Sequence, residues 1–279
     1  MFGVLALLFA LVAQLLVFVT FPSAQQSEVI TAEEIVSTPA ITFYWLMVLA
    51  FLGAHAVMLR VERRGWDYVW MGRSAARPGA LAAGLLIGML AVGVPSAILM
   101  GIGWLDVTDA PGAWADHVFA LLMFLIPAAF VEELMMRGYV LAVLRDALGA
   151  RWALLLTSVA FGVLHAYNAN ASARALALVS IAGIFLGVIV LEKRSLFAAT
   201  AAHFAWNATL AILLRAPLSG EELPGGDYRV IDGGPDWATG GAWGPEGGAG
   251  AIAGMLVAAG VLLRGRRAGG LSAGRGADS

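Results

Sequence analysis

The sequence predicts an all-α fold, a polytopic transmembrane helical bundle of about eight spans with both termini in the cytoplasm. Three observations carry that prediction. Of the 279 residues, 60% are hydrophobic and 13% charged, against roughly 45–50% and 25% in a soluble protein. The mean hydropathy of +0.83 is more apolar side chain than a domain of this size can hide from water. Apolar segments of about the length needed to cross hydrocarbon recur along the chain, and the basic residues fall in alternate loops. This composition excludes a soluble globular enzyme, a nucleic-acid binder and a disordered chain, and it makes the lipid bilayer an obligatory partner. The net charge of −2 says little in total. With no cysteine, disulfides, thiolate metal ligands and a cysteine nucleophile are all removed. Sixteen of the 17 basic residues are Arg, and with abundant Ala and Gly this points to a high-GC, bacterial source and a bacterial cytoplasmic membrane.

The spans are expected near 2–21, 40–60, 79–104, 116–144, 152–168, 174–191, 196–214 and 248–263. The first lacks a basic leader, runs longer than a signal core, and is followed by Pro22-Ser23-Ala24, a poor cleavage site; it reads as a retained helix. The last is short and rich in Gly and Ala. Loop charge tests the count independently, because basic loops stay in the cytoplasm. Thirteen basic residues, from Arg60 through Arg145, Arg151 and Lys193 to the tail at 264–279, fall on one side. The alternate loops hold Arg174, Arg215 and Arg229 and most of the acids. Dropping a central helix would scramble this 13-to-3 division. The chain therefore reads as one integral membrane domain over 1–279, with the polar motifs between about 116 and 214. Residues 216–247 form an external, Gly-rich, acidic loop, either a mobile lid or a disordered connector, with composition favouring the connector.

Span four carries Glu132, Glu133 and Arg137 near its centre. Each ionisable side chain there costs about 2.5–3.5 kcal/mol to insert, so together they offset much of what the apolar residues return. The charges must therefore turn toward other helices. Glu133 and Arg137 are i and i+4 with the acid first, the favourable orientation for an intrahelical pair. Glu132 lies about 100° round the helix and has Met136 one turn on, so it lacks a partner in its own helix. Pro127 removes a backbone donor just before the carboxylates and is expected to kink the helix there.

Span five ends its apolar run with Phe161-Gly162-Val163-Leu164-His165, which sets the Phe161 ring one turn before the imidazole. Span seven carries His203 and Asn207 at i and i+4, on one face. Each of these alone reads as a packing or hydrogen-bonding residue. Counted from the flanking basic residues at about 1.5 Å per residue, Glu132, His165 and Asn207 all fall in the middle third of the bilayer. There they can meet in one polar cavity. Gly183 and Gly187, with Ala198, Ala199, Ala201 and Ala202, let helices six and seven approach closely. His55 and His117 read as a packing residue and an interfacial one.

Glu-Glu-x-x-x-Arg-Gly at 132–138, Phe-x-x-x-His at 161–165 and His-x-x-x-Asn at 203–207, in that order on three apolar segments, resemble the three motifs of the CPBP family. That family holds the type II CAAX prenyl endopeptidases, the bacteriocin-processing proteins and the abortive-infection proteins. The resemblance implies an intramembrane endopeptidase acting on a membrane-associated protein or peptide. It further implies that Glu132 and His165 activate water, that His203 and Asn207 stabilise the oxyanion, and that Glu133 and Arg137, with Phe161 walling the first imidazole, support the site. The family's name does not fix the substrate. No cofactor is the preferred reading. Zinc held by Glu132, His165 and His203 is the alternative, since two His and one Glu with an open position form a legitimate catalytic set; the contiguous His-Glu-x-x-His signature is absent. Two other classes compete: a proton-coupled transporter using the same groups as a relay, and a non-catalytic scaffold or immunity protein.

Overall fold

The structure, a computed structural model, describes residues 31–274 together with Met1, Gly3, Leu8, Leu11, Leu16, Val19 and Thr20. Most of the expected span at 2–21 and the end of the basic tail thus lie outside the described residues. The long helices are α1 Thr38–Val61, α2 Pro78–Gly101, α3 Trp114–Arg137, α4 Tyr139–Leu148, α5 Ala150–Leu164, α6 Ala173–Lys193, α7 Leu196–Ala208 and α8 Ala249–Gly274. Among the described residues, six stretches are long and apolar enough to cross a membrane, and Ala249–Leu263 is a shorter apolar helix. These six coincide with the second to seventh expected spans.

Local sequence explains where the helices begin and break. Ser37, Ser172 and Ser195 each accept a backbone N–H of the following turn and so cap α1, α6 and α7. Pro127 lies inside α3 without ending it. The break comes instead at Gly138 (φ −80°, ψ −119°), which divides the span expected as continuous over 116–144. Across that break the Tyr139 N–H donates to His55 Nε2 at 3.0 Å, while His55 Nδ1–H donates to the Phe51 carbonyl at 2.7 Å. A Cβ at position 138 would stand 2.2 Å from His55 Nε2. His55, read from the sequence as a packing residue, thus anchors the turn that follows the Glu-Glu-x-x-x-Arg segment.

The small residues do pack helices tightly, but against other partners than helices six and seven alone. A Cβ on Gly84 would lie 2.2 Å from the Ala198 carbonyl oxygen, and one on Gly88 1.9 Å from that of Ala202. The alanine stripe of α7 is therefore seated on α2. Gly183 and Gly187 of α6 face Ser158 and Leu154 of α5. Gly88→Ala is expected to destabilise the protein by about 1–3 kcal/mol through overpacking. An unshifted thermal unfolding midpoint in detergent would contradict this packing.

The two ends of the bundle differ in character. At the basic end Arg64 and Tyr68 both reach Asp146, at 3.3 and 3.0 Å, and the Leu196 N–H donates to the Trp70 carbonyl at 2.9 Å. At the opposite end β1 (Leu105–Ala110) pairs antiparallel with β2 (Asp227–Asp232), Leu105 facing Asp232 and Ala110 facing Asp227. The reading of 216–247 as a connector is corrected here. The segment folds, because the strand after α2 supplies it with a backbone ladder and Trp243 finds cover, at 3% exposed.

Candidate active site

Glu133, fully buried on α3, is the hub of the polar group. Its Oε1 accepts from Arg137 Nη1 at 3.1 Å, one turn on, and from His203 Nδ1–H at 3.0 Å on α7. The pair expected from the i, i+4 spacing is thus present and also holds the imidazole of another helix. Arg137, with no exposed surface, stacks its guanidinium 4.2 Å above the Phe161 ring, a cation–π contact strengthened by the exclusion of water. Phe161 in turn stands edge-on to both imidazoles, 4.7 Å from His165 and 6.1 Å from His203 between ring centres. One aromatic ring therefore packs against the buried cation and both histidines.

The histidine roles follow from their bonds. His165 Nδ1–H donates to the carbonyl of Phe161 at 2.8 Å, which leaves Nε2 for other partners. His203 is held at Nδ1 by Glu133, and its Nε2 lies 3.7 Å from Glu132 Oε2. Asn207 is one turn beyond His203, and directly after it α7 widens into a π turn over Thr209–Leu214. Such turns recur where a helix serves a site. His165, His203 and Asn207 line one cavity of about 40 Å³, together with Phe161, Trp206 and Glu246. That is room for a water molecule and too little for a peptide.

One sequence expectation, that His165 lies midway along a helix, needs correction. Helix α5 ends at Leu164, and His165 opens a 3₁₀ turn over His165–Tyr167. The counting argument assumed an unbroken helix; in fact His165 sits at a helix end rather than midway along one. In addition, no hydrogen bond or ion pair among the described residues joins Glu132 to His165. Glu132 meets the group through His203, because the His165 ring is tied back to its own helix. Glu246 and Trp206 were missed: Trp206 Nε1–H donates to Glu246 Oε2 at 2.6 Å. Nothing local in a Gly-rich stretch marks one glutamate among several as the one that meets α7. Among the described residues, no group of three His, Asp or Glu side chains is gathered so as to hold a metal ion. The set Glu132, His165 and His203 is therefore not assembled as ligands in this arrangement.

A helical bundle of apolar spans that gathers two carboxylates, two imidazoles, a guanidinium and a carboxamide in its interior defines a polytopic membrane protein with a built polar site. Residues 114–209 match the sequence model of the Rce1-like type II CAAX prenyl endopeptidases. The matched segment, about a third of the chain, is similar to that family and carries all three motifs. The family is one of CAAX-type membrane endopeptidases acting on peptide or protein substrates. No curated protein and no solved structure matches the chain.

Proposed function

We propose that the protein cleaves a peptide bond of a membrane-associated protein or peptide by a metal-free mechanism. Glu132 is the general base. With His165 it orients a water, takes one of its protons, and the hydroxide attacks the scissile carbonyl carbon. The carbonyl π pair moves to oxygen, and the Asn207 amide and His203 Nε2–H donate to that oxyanion. Collapse of the tetrahedral intermediate breaks the C–N bond, and Glu132 returns its proton to the leaving amine. A ring that donates from Nδ1 to Glu133 and from Nε2 to an oxyanion is an imidazolium, and Glu133 is its counter-ion. Preorganised donors in a water-poor site are worth far more than the same groups in water.

The observation that carries this reading is that two motif segments line one water-sized space, through His165, His203 and Asn207, while Glu132 of the third lies 3.7 Å from His203. The Glu132 side chain is 27% exposed, which leaves it free to reach a water shared with His165; pairing with His203 is the resting arrangement.

The test is cleavage of a panel of transmembrane-segment peptides by the purified full-length chain in detergent. Asn207→Ala is expected to lower the rate about 10²–10³-fold, and a chelator to leave it unchanged. Loss of cleavage on chelation, restored by zinc, would overturn the metal-free mechanism. Ion flux without cleavage would point to a transporter, and neither activity to a scaffold.

A further inference from the structure

The cavity is closed on one side by a segment outside all three motifs. Glu246 carries the closure. Its Oε2 accepts from Trp206 Nε1–H at 2.6 Å, and its Oε1 accepts from the Ser219 N–H at 2.6 Å and the Ser219 hydroxyl at 2.9 Å. Trp206 is a buried residue of α7 next to Asn207, so the carboxylate is tied directly to the helix that bears both proposed oxyanion donors. The Trp206 bond fastens the segment to α7, and the two Ser219 donors, within the segment itself, brace the carboxylate that makes it.

The other edge of the segment is fastened to the turn that follows His165. Asn168 Nδ2 donates to the Ser219 carbonyl and Asn170 Nδ2 to the Gly220 carbonyl, each at 3.0 Å. The Ala169 N–H donates to Glu221 Oε1 at 2.9 Å. Gly220, at φ +84°, presses so close that a Cβ would stand 1.9 Å from the Ala169 carbonyl oxygen. Trp243 then inserts beside Phe161 and Met136. The segment thus bridges the two elements that present His165 and His203, at the end of the bundle away from Arg64 and Asp146. Most of these fastenings are hydrogen bonds at its two edges, while the ladder with β1 ties the segment separately to the strand after α2.

We propose that Glu246 is a further residue of the site, a latch that holds residues 216–247 over the cavity as a lid. Release of the latch opens the cavity toward the end opposite the basic loops. That end is the non-cytoplasmic one by the charge asymmetry of the loops. What enters rests on the protease reading above; that the cavity is latched does not.

The absence of native cysteine makes a direct test practical. Ala182, on the cavity wall, is replaced by cysteine in the full-length chain, and its reaction with a membrane-impermeant cationic methanethiosulfonate is timed in right-side-out and inverted vesicles. Labelling from the non-cytoplasmic side is expected to be slow, and at least tenfold faster when Glu246→Ala is added. The Asn168→Ala, Asn170→Ala pair, which loosens the opposite edge without touching Glu246, is expected to accelerate it too. This second variant decides the matter if Glu246→Ala does not yield folded protein. Rates unmoved by either variant, or labelling confined to inverted vesicles, would overturn the proposal. Accelerated labelling in a protein that cuts no peptide would leave the lid standing and remove the protease mechanism. Glu132-dependent cleavage with unmoved labelling would do the reverse.

Discussion

Replacing Glu132 with glutamine is expected to reduce cleavage to background while leaving a folded, monodisperse protein. A positioned general base contributes about 10²–10⁴ in rate, and here the same carboxyl must also return the proton to the leaving amine, so its loss stops two steps. The substitution keeps shape and volume and removes only the ability to accept a proton. Because Glu132 meets its neighbours at 3.7 Å and is not the hub of the buried network, little stability should go with it. The measurement is the cleavage rate in detergent set beside the thermal unfolding midpoint. Full activity in Glu132→Gln would refute the assignment of the base.

Arg137→Ala is expected to have the opposite signature: destabilisation first, inactivity as its consequence. Removing one member of a buried ion pair costs about 3–5 kcal/mol, because the other is stranded. Here Glu133 would keep only His203 as a partner, and the stacking of the guanidinium on Phe161 would go too. The pair is not perfectly satisfied even as it stands, since Arg137 Nε, Arg137 Nη2 and Glu133 Oε2 are buried without a hydrogen-bond partner. The double replacement Glu133→Leu, Arg137→Leu should therefore recover much of the lost stability, as apolar substitutes for buried pairs do, yet leave His203 without its anchor at Nδ1. Unfolding midpoints of the two single variants and the double variant check this. If the double variant loses as much as the single losses summed, the two residues act independently and the pair is not the hub described.

Much of the fold was legible because lipid imposes strong constraints. Crossing lengths and loop charge gave the spans, and the i, i+4 rule separated Glu133, which pairs with Arg137, from Glu132, which does not. Spacing failed where the backbone departs from an ideal helix. Gly138 breaks its span because His55, 84 positions upstream of Tyr139, offers the next amide a better acceptor than another helical turn would. His165 falls at a helix end for which residue counting has no signal. The fold of 216–247 was hidden because its ladder partner lies more than a hundred residues earlier, at 105–110, where composition statistics do not look. Likewise the alanines of α7 were recognisable as a close-packing stripe, but which helix they receive is a tertiary fact, settled by Gly84 and Gly88.

That last contact has a mechanical meaning. With two carbonyls of α7 pressed into the bare backbone of α2, the helix bearing His203 and Asn207 is keyed to a neighbour one crossing away. It cannot slide along its axis or roll about it without colliding with main chain, which does not yield as a side-chain tip does. Any cycle of admission and release would therefore spare this shaft and be taken up in the connecting segments, so the two proposed donors would hold the same station throughout.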